Sequence, residues 1–148
     1  MKRKNTRYIS SKITPLVLIL LSILVTFIVS RLITYLILVR NILPNYLFVD
    51  IGGFRLHHFV YGNIIIIITS FLAIGLGIIK HRNLFAIFYG IGLGLVLDEF
   101  LLWVGDVNQF TNNVMWIPYS LKVIAGASLL IASIIMFRLY KLHKLRLK

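Results

Sequence analysis

Two short runs hold most of the side chains able to do acid–base or ligand chemistry. They are His57-His58-Phe59-Val60-Tyr61-Gly62 and the stretch from Gly90 to Phe100 that ends in Asp98 and Glu99. The remaining carboxylates are Asp50 and Asp106, so the chain has four in all. Imidazole and carboxylate together suit zinc, iron or manganese. His57 and His58 with Glu99 and Asp106 form the candidate metal set, and a divalent metal is the one cofactor these residues suggest. Their spacing matches no established metal signature. The same groups, with Asp98, Asn63, Arg31 and Lys122 as partners, also describe a polar site for an ion, a proton or a lipid head group. A third reading is that the charges pair only to hold a bundle together, the commonest way of tolerating charge in lipid.

Other residues that catch the eye carry less chemistry. Gly90, Gly92 and Gly94 resemble a nucleotide loop, but they lie inside an apolar run with no strand before them and no helix start for a phosphate. Ala86, Gly90 and Gly94 recur every fourth residue and read as a helix-packing stripe. Gly75, Gly77 and Gly126 extend the small-residue pattern. The absence of cysteine excludes disulfides, thiolate metal sites and thiol redox chemistry. Ser30 and Ser120 have no evident histidine at their depth, so nothing points to a Ser–His nucleophile.

The elements that must position these residues are membrane helices. Of 148 residues, 59% are hydrophobic and 14% charged, with a mean hydropathy of +0.95. Soluble chains carry about 25% charged residues, and a domain of this length has too little interior for so much apolar surface. Spans of roughly 20 apolar residues cross a bilayer. Four stretches qualify: about 13–39, 59–79, 84–104 and 117–139. The basic start followed by an apolar run suggests a signal peptide, but the run is too long and lacks a cleavage site, so it reads as a retained span. The five isoleucines from Ile64 to Ile68 would suit a strand in water; in lipid an isolated strand leaves its backbone unpaired, and helix is expected.

Twelve of the sixteen Lys and Arg residues fall in the N-terminal arm 1–12, the loop holding Lys80 and Arg82, and the tail from Arg138 onward. The opposite loops hold Arg40 and Arg55. The positive-inside rule then puts both termini in the cytoplasm. The expected fold is all-α: a single-domain, multi-pass, four-helix bundle in the cell membrane, with basic ends at 1–12 and 140–148. Those ends suit anionic lipid. They suit nucleic acid poorly, because no soluble module carries them. Leu139, Leu142 and Leu145 among tail basics suit an interfacial extension of the last span. Small-residue faces suggest a homo-oligomer. Trp103, Trp116, Tyr119 and Tyr46 fit an outer aromatic belt.

All four acids fall on the outer side of this topology. Counting from inner span ends, Arg31, Asn63, Asp98, Glu99 and Lys122 lie roughly 22–28 Å up. His57, His58 and Asp106 lie roughly 33 Å up, which separates His58 from Glu99 by about 9–11 Å. Adjacent residues on a helix point about 100° apart. Asp98 and Glu99 are therefore expected to have different partners, one meeting Arg31 and the other Lys122 or Asn63.

The two motifs resemble an uncharacterised family of small bacterial four-span integral membrane proteins, with an HHFV(W/Y)G segment before a GIGLGLVLDEF-like span. The resemblance covers spans two and three and implies fold and topology rather than activity. More loosely, Asp50, His58, Glu99 and Asp106 are similar in order to the acids and histidine of VanZ-like membrane proteins, although the usual Asp-Lys-x-x-His spacing is absent. The expected function is binding of an ion, lipid head group or amphiphile at the outer leaflet. The alternatives are a metal-dependent hydrolase or head-group transferase, and a proton- or ion-coupled carrier.

Overall fold

The computed structural model describes residues 2–38, 40, 42, 50, 51, 54, 55, 57–78, 80–100 and 117–147. Four α-helices account for nearly all of these residues. They are α1 (Lys2–Leu38), α2 (His58–Ser70), α3 (Arg82–Asp98) and α4 (Ile117–Leu147). A two-residue antiparallel ladder, β1 (Asp50–Ile51) with β2 (Phe54–Arg55), precedes α2 and sets Asp50 opposite Arg55. The isoleucine run is helical, as the unpaired-backbone argument requires. Hydroxyls within the apolar helices turn back on their own backbone: Thr69 donates to Ile65 O at 2.6 Å and Ser133 to Leu129 O at 2.8 Å.

Among the described residues, three segments are long and apolar enough to cross a membrane: Ile13–Ile37, His58–Gly75 and Ser120–Lys144. The segment expected at 84–104 is different. Its helix is 17 residues, Arg82–Asp98, and Glu99 leaves the helical region with φ −107° and ψ 15°. Residues 101–104 lie outside the described residues. The segment expected at 59–79 also ends early as regular helix. After Ser70 the chain makes a π-helical turn, Phe71–Gly75, and then leaves helix, with Gly77 at φ 62°. That positive φ suits glycine and few other residues. The last helix runs unbroken to Leu147, and Leu142 within its basic end is buried.

α3 is the centre of the bundle. Along one face it lies against α1 with a fixed register: Gly90 meets Ser22, Gly94 meets Thr26, and Asp98 meets Ser30, the last pair 68 positions apart like the others. A constant separation means that α1 and α3 run parallel. A methyl group on Gly90 would lie 2.7 Å from Ile19 O, and one on Gly94 would lie 3.1 Å from Ile23 O, so the backbones approach as only glycine permits. On the opposite face Gly92 lies against Gly62 of α2, with a methyl at Gly62 only 2.7 Å from Gly92 O. Nearer the helix ends His58 meets Asp98, so α2 runs antiparallel to α3. α4 closes a third side, where Ile124 joins Ile23 and Phe27 in the buried core and Leu93, Leu97 and Ile131 pack around it.

Candidate functional site

The C-terminal end of α3, the N-terminal end of α2 and the last third of α1 meet in one polar cluster. Asp98 is its buried centre, with its side chain 1% exposed. Arg31 forms an ion pair with it through Nη2 and donates from Nε to Oδ1 at 2.6 Å. The same guanidinium donates from Nη2 to the Asp98 backbone carbonyl at 3.0 Å. Arg31 therefore neutralises the carboxylate and also caps the negative end of α3. Its cation lies 5.7 Å from the centroid of the Phe27 ring, a distance at which the ring face stabilises it. The other carboxylate oxygen, Oδ2, accepts from Ser30 Oγ at 2.9 Å and bonds His58 Nε2 at 2.9 Å.

Glu99 occupies the positive end of α2. Its Oε2 accepts the Phe59 backbone N–H at 3.0 Å. His57, the residue at the cap position, supplies no side-chain cap to its own helix, so Glu99 does so from α3. Its Oε1 bonds His57 Nδ1 at 3.2 Å and lies 3.3 Å from His58 Nδ1. Exposure rises outward through the cluster: 1% for the Asp98 side chain, 12% for Glu99, 19% for Arg31, 29% for His58 and 43% for His57.

His58 thus serves both acids, through opposite ring nitrogens, which corrects the expectation that adjacent acids have no common partner. Glu99 has left the helix, so the 100° separation no longer applies to it. Among the described residues its carboxylate meets the two histidines and the Phe59 N–H, whereas Lys122 or Asn63 was the expected partner. The depth estimate that set His58 well above Glu99 is corrected too. It assumed regular helix down to Lys80, whereas residues 71–78 form a π turn and non-helical backbone.

Of the other candidates, Asn63 lies half-buried on α2. Lys122 lies exposed on α4. Asp106 lies outside the described residues, as do Trp103, Trp116 and Tyr46. Among the described residues no group of three His, Cys, Asp or Glu side chains is disposed to hold a metal ion. The Arg31 guanidinium fills the position beside Asp98 where a cation would bind.

Ser30 is the member that sequence reasoning passed over. It stands 3.2 Å from His58 Nε2, at the depth where no histidine was expected. A signal existed: Ser22, Thr26 and Ser30 repeat every fourth residue on α1, as Gly90, Gly94 and Asp98 do on α3. Ser30 gives its hydroxyl hydrogen to Asp98, so it is not poised as a nucleophile with His58 as base. The ring of His58, facing a carboxylate at each nitrogen, is a bridge; in its neutral form it donates to one acid at a time. Compared with family models, curated proteins and solved structures, the chain matches none.

Proposed function

We propose that the protein is a multi-pass bundle of four membrane helices with both termini in the cytoplasm, and that its polar cluster is an outer-leaflet site for an ion or an amphiphile head group. One observation carries this reading. Two carboxylates sit inside, and Glu99 holds at the rim a histidine, His57, whose side chain is 43% exposed. A cluster that only locked helices together would have no need of the half-exposed His57 at its rim. The parallel α1 and α3 with α2 antiparallel between chain positions support alternate crossing of the bilayer. The unbroken basic end of α4 supports contact with anionic lipid on the inner face.

The experiment is nuclear magnetic resonance of ring-¹⁵N histidine in the full chain held in phosphatidylcholine nanodiscs. Calcium, zinc, phospholipids and alkylammonium amphiphiles are added in turn. At least one class should move the His57 and His58 signals in the wild type and fail to do so in Glu99→Gln. If none moves them, the cluster is structural and the proposal fails.

A proton-coupled carrier is the second reading, favoured by the chain His57–Glu99–His58–Asp98 that runs from exposed to buried groups. The described hydrogen bonds of that chain stop at Asp98, above the apolar core of Ile23 and Phe27, so the chain has one open end. Binding is the better supported role.

A further inference from the structure

His58 stands between the two acids and reaches both neighbouring helices. Its Nε2 bonds Asp98 Oδ2 on α3 at 2.9 Å and lies 3.2 Å from Ser30 Oγ on α1. Its Nδ1 lies 3.3 Å from Glu99 Oε1. Among the described residues, the charged groups around it leave one negative charge over. Asp98 and Glu99 face it from α3, and Arg31 of α1 answers Asp98 at the other oxygen, Oδ1. His57 bonds Glu99 through Nδ1, a contact that a neutral ring satisfies with its one N–H. α4 brings no carboxylate, and its Lys122 lies exposed. Two carboxylates thus stand against one guanidinium, in surroundings where unbalanced charge is costly.

No neutral form of the His58 ring serves both acids. With the hydrogen on Nε2, the bare Nδ1 faces Glu99 Oε1, lone pair to lone pair. With the hydrogen on Nδ1, Nε2 accepts from Ser30, and Asp98 Oδ2 loses both of its donors. The doubly protonated ring presents an N–H to each acid and cancels the residual charge.

What this ring holds in place is the start of α2. Four residues along, α2 is pinned where Gly62 lies against Gly92, with a methyl at Gly62 only 2.7 Å from Gly92 O. Above that pin the cluster fixes the first turn. His57 and His58 engage the acids, and the Phe59 N–H donates to Glu99 Oε2 at 3.0 Å. A donor in the first turn has no acceptor within its own helix, so the Phe59 amide reports the junction with α3.

We infer that His58 is a proton-operated latch on α2. With both ring nitrogens protonated it ties the start of α2 to Asp98 and Glu99; on losing one proton it lets the turn His58–Tyr61 loosen above Gly62. The latch closes in acid and opens as pH rises. It operates whether or not the cluster also takes a ligand.

The test is nuclear magnetic resonance of the ¹⁵N-labelled full chain in phosphatidylcholine nanodiscs, between about pH 5 and 8, where histidine exchanges its proton. Two quantities are followed: the protonation of each His58 ring nitrogen, and the hydrogen-exchange protection of the Phe59 amide corrected for its intrinsic rate. In the wild type both His58 nitrogens should carry hydrogen at the acid end. Loss of one should coincide with a fall of at least about tenfold in Phe59 protection, the worth of one hydrogen bond to a charged group. Glu99→Gln removes the surplus charge, keeps a carbonyl for the Phe59 N–H and offers an N–H to a bare Nδ1. Its Phe59 protection should stay level across the range. His57→Gln should keep the wild-type response. A bare His58 nitrogen at the acid end, or wild-type protection that stays level or does not follow the His58 proton, overturns the inference. So does a response that survives Glu99→Gln or vanishes in His57→Gln. If either variant fails to fold, the coincidence of the two wild-type titrations decides alone.

Discussion

Replacing Arg31 by methionine tests the electrostatic logic of the cluster most directly. The substitution keeps an apolar stem of similar length over Phe27 and removes every contact that the guanidinium makes with Asp98. Breaking a buried pair by deleting one partner costs about 3–5 kcal/mol, because the surviving charge stays buried. Asp98 is as buried as that estimate supposes. Two donors on its Oδ2, from Ser30 and His58, survive the change, so the cost should lie near the lower end, about 3 kcal/mol. That corresponds to roughly a hundredfold shift in the folding equilibrium. Unfolding of the purified protein in mixed micelles, followed by far-ultraviolet ellipticity, measures it. Adding Asp98→Asn to Arg31→Met removes the stranded charge and should recover at least half of the loss. The reasoning is refuted if Arg31→Met is within about 0.5 kcal/mol of wild type, the scatter of ordinary surface substitutions, or if the double variant is no more stable than the single one.

Glycine substitutions should divide sharply by position. Gly90→Ala forces a methyl against the Ile19 carbonyl and should cost about 1–3 kcal/mol, whereas Gly126→Ala meets nothing within 4 Å and should cost nothing in the same unfolding assay. His58→Leu removes the bridge to both acids and should destabilise more than His57→Leu, which loses one rim contact; each hydrogen bond to a charged group is worth about 1.5–3 kcal/mol. The absence of native cysteine allows single-cysteine labelling in intact cells. His81→Cys and Lys144→Cys, both at exposed positions, should react only after permeabilisation, and Arg40→Cys should react before it. The reverse pattern overturns the proposed orientation.

Much of the architecture was legible because lipid enforces it. An apolar run in a bilayer has few alternatives to helix, and Ile64–Ile68 obeys that rule against its β-branched preference. The glycine stripe of α3 was legible as packing, and the structure adds that Gly92 serves a different neighbour from Gly90 and Gly94. The cluster was less legible, for local reasons. Depth counted along the chain depends on uniform helical rise, and the π turn at Phe71–Gly75 breaks it. Partner choice depends on where a helix stops, and α3 stops one residue before Glu99. That one residue lets Glu99 swing towards α2, where it bonds His57 and the Phe59 N–H and lies beside His58. Ser30 was missed because it follows a row of hydroxyls that look like filler in an apolar helix.

The position of α3 bears on how the protein is assembled. It is the helix that every other packs around, and its last residue, Asp98, carries a buried carboxylate. A charged side chain left without a partner in lipid is costly. Both of its chaperoning surfaces are synthesised earlier: the Arg31 counter-ion emerges 67 residues before Asp98, and α2 also precedes it. Chain order thus sets both partners of the Asp98 end ahead of Asp98 itself.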